Sequence, residues 1–357
     1  MPPPVLTALH RDAPGPRRLL HGLARRSPLG FARRVLEVGW EVGRAALARP
    51  PAGPRVLRVE AGAAPAAASL ALYVHYAPNG RVSEMVRRQL ALYRQAGFAI
   101  AFVSVAPLVP EEDWQAVREA AWLVIHRRNE GRDFGAWQDA AALALERAAA
   151  PEELLLANDS VLGPLRPLDA VFAAMRAGGP GLFGLTENLG GGAHLQSYFL
   201  CARGAAAVRD LAGFLAAFRP SAAKWLIVQR GEIALTPAML AKGYRVAALY
   251  GHDRLAAAIA ADPAERLALL AADPRLAGLP EPEQAAAVVA ALRERPLNPT
   301  HHLWRPLVAL LGFPFLKTEL LRRNPHELPV QGWEALVPPD APCPLTVLRA
   351  HLSAMEG

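Results

Sequence analysis

A chain of 357 residues, 52% hydrophobic and 20% charged, has the balance of a globular protein with room for one large domain or two smaller ones, and is not disordered. Its formal charge of +7, carried mostly by arginine, suits a phosphate-rich ligand or an anionic membrane surface. Nucleic acid is not indicated, because no basic stripe is interleaved with stacking aromatics. The two cysteines, Cys201 and Cys343, make no disulfide framework and lack metal-ligand spacing. No apolar run of about 18 residues and no N-terminal leader pattern is visible, so the expected setting is cytoplasmic.

In chain order, residues 1–68 stand apart. Arg17, Arg18, Arg25, Arg26, Arg33, Arg34 and Arg44 are interspersed with Leu19, Leu20, Leu23, Leu29, Phe31, Val35, Leu36, Val38 and Trp40. Much of that spacing is i, i+3, i+4, which predicts one or two helices with an apolar and a basic side. Such a helix suits the inner surface of a membrane, or packs on the main domain with its arginines in water. The Pro/Gly/Ala stretch from Pro50 to Ala68 reads as a linker.

A β–α alternation occupies residues 69–252. Strands are expected at Leu70–His75, Phe98–Val105, Ala121–His126 and Glu153–Ala157, with helices at Val82–Ala96, Glu111–Glu119 and Phe134–Ala149 between them. Strands separated by helices predict an α/β fold with a Rossmann-like, mostly parallel sheet, whose ligands gather at the carboxyl ends of the strands. Residues 253–357 are mainly helical, with Arg254–Ala272, Pro282–Arg295 and a denser segment from Asn298 to Pro325.

Several polar motifs fall at those strand ends. Arg127-Arg128-Asn129-Glu130-Gly131-Arg132-Asp133 follows the third strand. Gly131 allows a tight turn, Asp133 can cap the next helix, and free helix N–H groups beside arginines suit a diphosphate. Asn129 or Asp133 can instead meet a base or ribose. The bland reading is a capped turn with solvated arginines. Asn158-Asp159-Ser160 ends the fourth strand with three oxygen-bearing side chains, which can serve Mg²⁺ or Mn²⁺ or simply form an Asx turn. The segment from Gly190 to Phe199 is expected to be a mobile loop entering a strand, with His194, Gln196 and Tyr198 able to address a sugar. Glu232 is the candidate general base, with Asp159 and Glu187 as rival carboxylates. Adjacent His301 and His302 point different ways and make a poor metal pair, while Trp304, Phe313 and Phe315 read as core.

Taken in order, these segments resemble the rhamnan synthesis F family of bacterial polysaccharide glycosyltransferases. The resemblance runs through Val74-His75-Tyr76, residues 128–137, residues 158–164, residues 194–199, Glu232, Gly243-Tyr244 and residues 312–317. It implies a glycosyltransferase A-like fold and transfer of rhamnose or a related sugar from a nucleotide sugar to a lipid-linked glycan of the O-antigen, rhamnan or capsule type. It also implies that His75, Arg128, Asn129, Gly131, Asp133, Asn158 and Ser160 hold the donor and its diphosphate. His194, Gln196 and Tyr198 would contact the acceptor sugar, Asp159 would hold any metal, and Asp159 and Glu232 would serve catalysis, with inversion. In that fold the strand-end motif is commonly Asp-x-Asp; Asn158-Asp159-Ser160 stands in its place, and Gly231 replaces one partner of a catalytic acid pair. The rival reading is a non-catalytic, membrane-associated assembly factor that retains the nucleotide-sugar fold.

Overall fold

A computed structural model describes residues 3–9, 28–48, 52–148, 150–272 and 278–355. Arg17, Arg18, Leu19, Leu20, Leu23, Arg25 and Arg26 of the basic N-terminal segment lie outside the described residues, as do the side chains of Leu29, Phe31 and Arg34.

The framework is a ten-stranded mixed sheet. Its strands in chain order are β1 (Thr7–Ala8), β2 (Val56–Ala61), β3 (Ser69–His75), β4 (Phe98–Ser104), β5 (Leu123–Arg127) and β6 (Glu153–Asn158). A short β7 (Val161–Leu162) lies off the sheet, which continues with β8 (Gly181–Asn188), β9 (His194–Leu195), β10 (Phe199–Arg203) and β11 (Arg245–Tyr250). Across the sheet the order is β1-β11-β8-β10-β6-β3-β4-β5-β2, with β9 paired to β8. The central β6-β3-β4-β5 block is parallel, as the β–α alternation predicts. The antiparallel β10 between β6 and β8 was not foreseen. Nor was β2: the stretch read as a linker contains an edge strand, paired antiparallel with β5 from Val56 to Ala61. Its burial is that of an edge: Leu57 and Ala61 are exposed, the other four residues are half-buried, and the register shifts between Val56 and Arg58.

Two apolar layers follow from the two-residue period of the strands. Ala71, Tyr73, Ile100, Phe102, Leu155 and Ala157 face one core, against the helices Glu84–Gln95, Glu111–Ala120 and Asp169–Ala177 and much of the C-terminal region. Leu70, Leu72, Ala101, Val103, Leu154 and Leu156 face the other, against the helices Arg132–Leu145, Ala205–Ala216 and Ala234–Ala241. The indole N–H of Trp137 donates to Leu72 O at 3.2 Å and ties the helix Arg132–Leu145 to β3. Trp304, Phe313 and Phe315 are buried core, as read from the sequence.

The C-terminal region folds back onto the strand ends. Strand β12 (Leu316–Lys317) pairs antiparallel with β7, placing Leu316 opposite Leu162 and Lys317 opposite Val161. Thr318 N–H also donates to Ser160 O at 3.0 Å. Residues more than 150 positions later in the chain therefore sit beside Asn158-Asp159-Ser160.

The helix Pro28–Leu47 lies outside this framework. Its Glu41 carboxylate accepts from Lys224 N, while Leu36, Trp40 and Leu47 are 72%, 71% and 87% exposed. No helix among the described residues is long and apolar enough to cross a membrane.

Candidate active site

The chain passes from β3 to β4 and β5 on one side, then returns to place β6 on β3's other side. The carboxyl ends of β3 and β6 are thus the topological switch point, where adjoining connections diverge and leave a crevice. Asp159 bridges it: its backbone N–H donates to Val74 O at 3.2 Å, and its Oδ2 accepts from Tyr76 N–H at 2.7 Å. Burial pushes this carboxyl up to about 8, and the neighbouring charge of Asp133 pushes the same way. At neutral pH it is therefore largely protonated.

Asn158 holds an Asx turn, accepting from Ser160 N–H at 3.1 Å and from the Ser160 hydroxyl. Its amide donates to Asp133 Oδ2 at 3.0 Å. Asp133 belongs to the first turn of the helix Arg132–Leu145, whose cap is Gly131 at φ +76°, without a side-chain cap. A Cβ on Gly131 would stand 2.8 Å from Pro220 Cβ, so both dihedral and space call for glycine there. The expectation that Asp133 caps the helix is corrected: its carboxylate reaches across to the strand end instead. Burial raises its pKa, with Lys317 and Arg132 opposing the rise.

Lys317 enters from β12. Its ammonium donates to Ser160 Oγ at 2.9 Å and lies 4.8 Å from the centroid of the Tyr198 ring. Burial lowers its pKa from 10.5, and the charges of Glu232 and Asp133 raise it. Sequence reasoning passed over this lysine as the end of an apolar run; the one signal was a single cation closing Gly-Phe-Pro-Phe-Leu.

Glu232 sits in a π-helical turn, Val228–Ile233. Its Oε2 accepts from both the backbone N–H of Ser197, at 2.9 Å, and the Ser197 hydroxyl, while Oε1 lies 3.5 Å from His194 Nε2. Burial would raise its pKa, but these donors and His194 overcome it and hold the carboxylate at about 2. His194 Nδ1 is 2.8 Å from Gly192 O. The expected loop is a hairpin: Leu195 pairs with Glu187 and His194 with Asn188. Gln196 and Tyr198 are buried, and both hydrogen-bond Thr186.

Asp133, Asn158, Asp159, Ser160, His194 and Glu232 therefore converge, with Lys317 among them. Other residues read as donor-binding do not join them. His75 is buried, its ring nitrogens 3.2 Å from Ser104 Oγ and from Arg81 O. Arg128 donates to Ala52 O and Gly53 O and pairs with Glu130, so its guanidinium anchors the segment before β2 rather than a diphosphate. Arg127 is buried and pairs with Asp139 at 2.9 Å. Asn129 is exposed. Of the rival carboxylates, Glu187 is buried and accepts from His252 N–H at 3.1 Å.

The protein donors available to a divalent cation at this strand end are few. Mg²⁺ and Mn²⁺ take oxygen ligands, often one or two carboxylates together with substrate phosphates. Asp159 is a largely neutral acid with one oxygen committed to Tyr76, and Asn158 Oδ1 is taken by Ser160, whose own oxygen receives Lys317. No group of three His, Cys, Asp or Glu residues able to hold a metal occurs among the described residues.

The mixed sheet, with its polar cluster at the switch point, makes this an α/β protein with a candidate ligand crevice. Residues 100–265 match the sequence profile of the family described as "Rhamnan synthesis protein F", so the resemblance read from the motifs is borne out over that span. An uncharacterized protein, y4gN, of Sinorhizobium fredii (strain NBRC 101917 / NGR234) is 29% identical over 199 residues, covering 54% of this chain and 51% of the relative. The chain thus spans about half the length of that curated relative. Among solved structures, a mannosyltransferase, PcManGT, from Pyrobaculum calidifontis in complex with GDP-Man and Mn²⁺ is similar at 15% identity and a TM-score of 0.33, covering 95% of this chain and 96% of its own.

Proposed function

We propose that this protein transfers a sugar, rhamnose or a related one, from a nucleotide donor to a lipid-linked, growing surface polysaccharide such as an O-antigen, rhamnan or capsule. The observation that carries this reading is the convergence of Asp133, Asp159, Glu232 and Lys317 at the switch point of a parallel sheet. In the proposed step, the acceptor hydroxyl oxygen attacks the anomeric carbon with inversion. The bond from that carbon to the diphosphate breaks, the diphosphate leaves with the bonding pair, and a carboxylate takes the hydroxyl proton.

Glu232 and Asp133 are the two carboxylates open to that proton. A base works best when its pKa lies near the working pH. Glu232 is ionised but held at about 2, with both oxygens engaged, whereas Asp133 is raised and hydrogen-bonded through one oxygen only. Asp133 is thus the better-matched base, and Glu232 orients the hairpin of Ser197 and His194. The test is release of nucleoside diphosphate from a panel of nucleotide sugars. Asp133→Asn is expected to lower kcat about 100-fold or more, and Glu232→Gln to act mainly on KM. Wild-type turnover in Asp133→Asn would remove it from the mechanism.

The exposed Leu36, Trp40 and Leu47, flanked on the same helix by Arg33 and Arg44, support peripheral contact with an anionic membrane, where a lipid-linked acceptor would lie. Sedimentation with phosphatidylglycerol vesicles, but not with phosphatidylcholine ones, is the expected result; equal recovery in the supernatant of both would remove the membrane from the proposal. The scaffold reading draws on the engaged oxygens of Glu232 and the neutral Asp159. It would prevail if calorimetry found no nucleoside diphosphate bound.

A further inference from the structure

We infer that Lys317 supplies the positive charge this site sets against a nucleoside diphosphate, in the role a divalent cation would otherwise fill. The inference rests on the nucleotide-sugar reading above and concerns the same site.

The geometry is specific. Strand β12 clamps the backbone of Lys317 against β7, and Thr318 fixes it further, with its N–H on Ser160 O at 3.0 Å and its hydroxyl on Asp159 O at 3.4 Å. The ammonium is thereby delivered to the carboxyl end of β6, 2.9 Å from Ser160 Oγ. Ser160 is the residue whose side chain would have to accompany Asp159 for a cation to be held at this strand end. Its oxygen instead receives a hydrogen bond from a cation already built into the chain. The Tyr198 ring, 4.8 Å away, lies beneath the same ammonium and favours its charge.

An ammonium has three donors, and Ser160 takes one; Glu232 and Asp133 act on it through their charges. Lysine binds phosphate as a point charge, and fixed cations aimed at a departing diphosphate stabilise it without reorganisation during reaction. Arg132 and Lys224 also contribute to the field at Asp133, alongside the opposing charge of Glu232. A lysine that only braces the strand end would, when replaced, weaken diphosphate and nucleoside alike, which is the contrast to measure.

Calorimetry with UDP, GDP and dTDP, each in EDTA and again with Mn²⁺, uses the full chain and separates the possibilities; uridine, guanosine and thymidine serve as phosphate-free controls. The wild-type protein is expected to bind at least one diphosphate in EDTA, with Mn²⁺ changing the affinity less than about threefold. Lys317→Met is expected to weaken that diphosphate about tenfold or more while leaving the matching nucleoside unaffected, and Lys317→Arg to restore most of the loss. Binding by the wild-type protein only when Mn²⁺ is present would overturn the inference yet leave the nucleotide-sugar reading intact. So would an unchanged diphosphate affinity in Lys317→Met, or a nucleoside weakened as much as the diphosphate. Should no diphosphate bind the wild-type protein in either condition, the nucleotide-sugar reading itself fails, and this inference with it. Should Lys317→Met not fold, Lys317→Gln takes its place in the same comparison, and a wild-type protein that binds only with Mn²⁺ still overturns the inference.

Discussion

Asp159 and Glu232 are carboxyl groups driven in opposite directions, one to about 8 and the other to about 2. Burial acts upward on both; the difference lies in the donors each one meets. Glu232 has two hydrogen bonds from Ser197 and the nearby imidazole of His194, whereas Asp159 has one backbone N–H and the unfavourable neighbour Asp133. For Asp159 the folded value exceeds the unfolded 3.8, so the folded state holds its proton longer. Stability from this group is unaffected below pH 3.8 and declines as pH rises toward about 8. Asp159→Asn mimics the protonated form and is expected to raise the melting temperature at pH 8 by about 2 °C or more, with the gain shrinking to nothing near pH 4. A melting series across that range checks it, and a pH-independent difference between the two proteins would count against the raised acid. For Glu232 the sign reverses: its contribution is complete above pH 4.5 and fades as pH falls toward about 2.

At the scale of elements, the π-helical turn Val228–Ile233 explains a residue that the sequence left puzzling. Gly231 stands where a second acidic residue was looked for, but a Cβ there would lie 2.6–2.8 Å from three atoms of the Phe134 ring. That ring is itself part of an aromatic group with Trp137 and Phe218, so it has little room to yield. Gly231→Ala is expected to cost about 1–3 kcal/mol by overpacking, read as a shift in denaturant midpoint without a change in slope. An unchanged midpoint would mean that Phe134 gives way. Much of the parallel block was legible because Leu70–His75, Phe98–Val105 and Glu153–Ala157 are dense apolar runs bounded by turn signals. Asp133, Asn158, Asp159, His194 and Glu232 were legible as polar residues placed at the ends of such runs. What escaped was whatever depends on distant pairing. Strand β2 was hidden by surrounding proline, glycine and alanine, β10 gave no sign of its direction, and Lys317 owes its place to a two-residue ribbon closed across the chain. Arginines misled in the opposite way: Arg127 and Arg128 look like anion ligands in sequence, but the fold turns them toward Asp139 and backbone carbonyls.

Across the whole molecule, acid is the expected weakness. His75, His301 and His351 are buried and each held down to about 4, chiefly by loss of hydration. Between pH 6.5 and about 4 the unfolded chain takes up protons at these positions while the folded chain does not, so stability falls as pH falls through that window. Asp159 and Asp133 tilt the other way over the same range, but three histidines outweigh them. Above pH 6.5 the histidine contribution nears completion while that of Asp159 still declines. Chemical denaturation at pH 5.0 and 6.5 is the measurement, and equal or greater stability at the lower pH would contradict the assignment.

The two margins of the sheet are both formed by chain that precedes Ser69: Thr7–Ala8 lies along β11, and Val56–Ala61 along β5. These margin strands also lie outside the span that the family profile matches. A shortened chain beginning at Ser69 would keep both apolar layers and the polar cluster, yet bare the more apolar backbone row of β5 and the longer one of β11 in place of the charged β2 and the two-residue β1. Such open rows recruit copies of themselves. The shortened protein is expected to scatter light and sediment as larger species at concentrations where the full chain does not, so the N-terminal arm guards solubility.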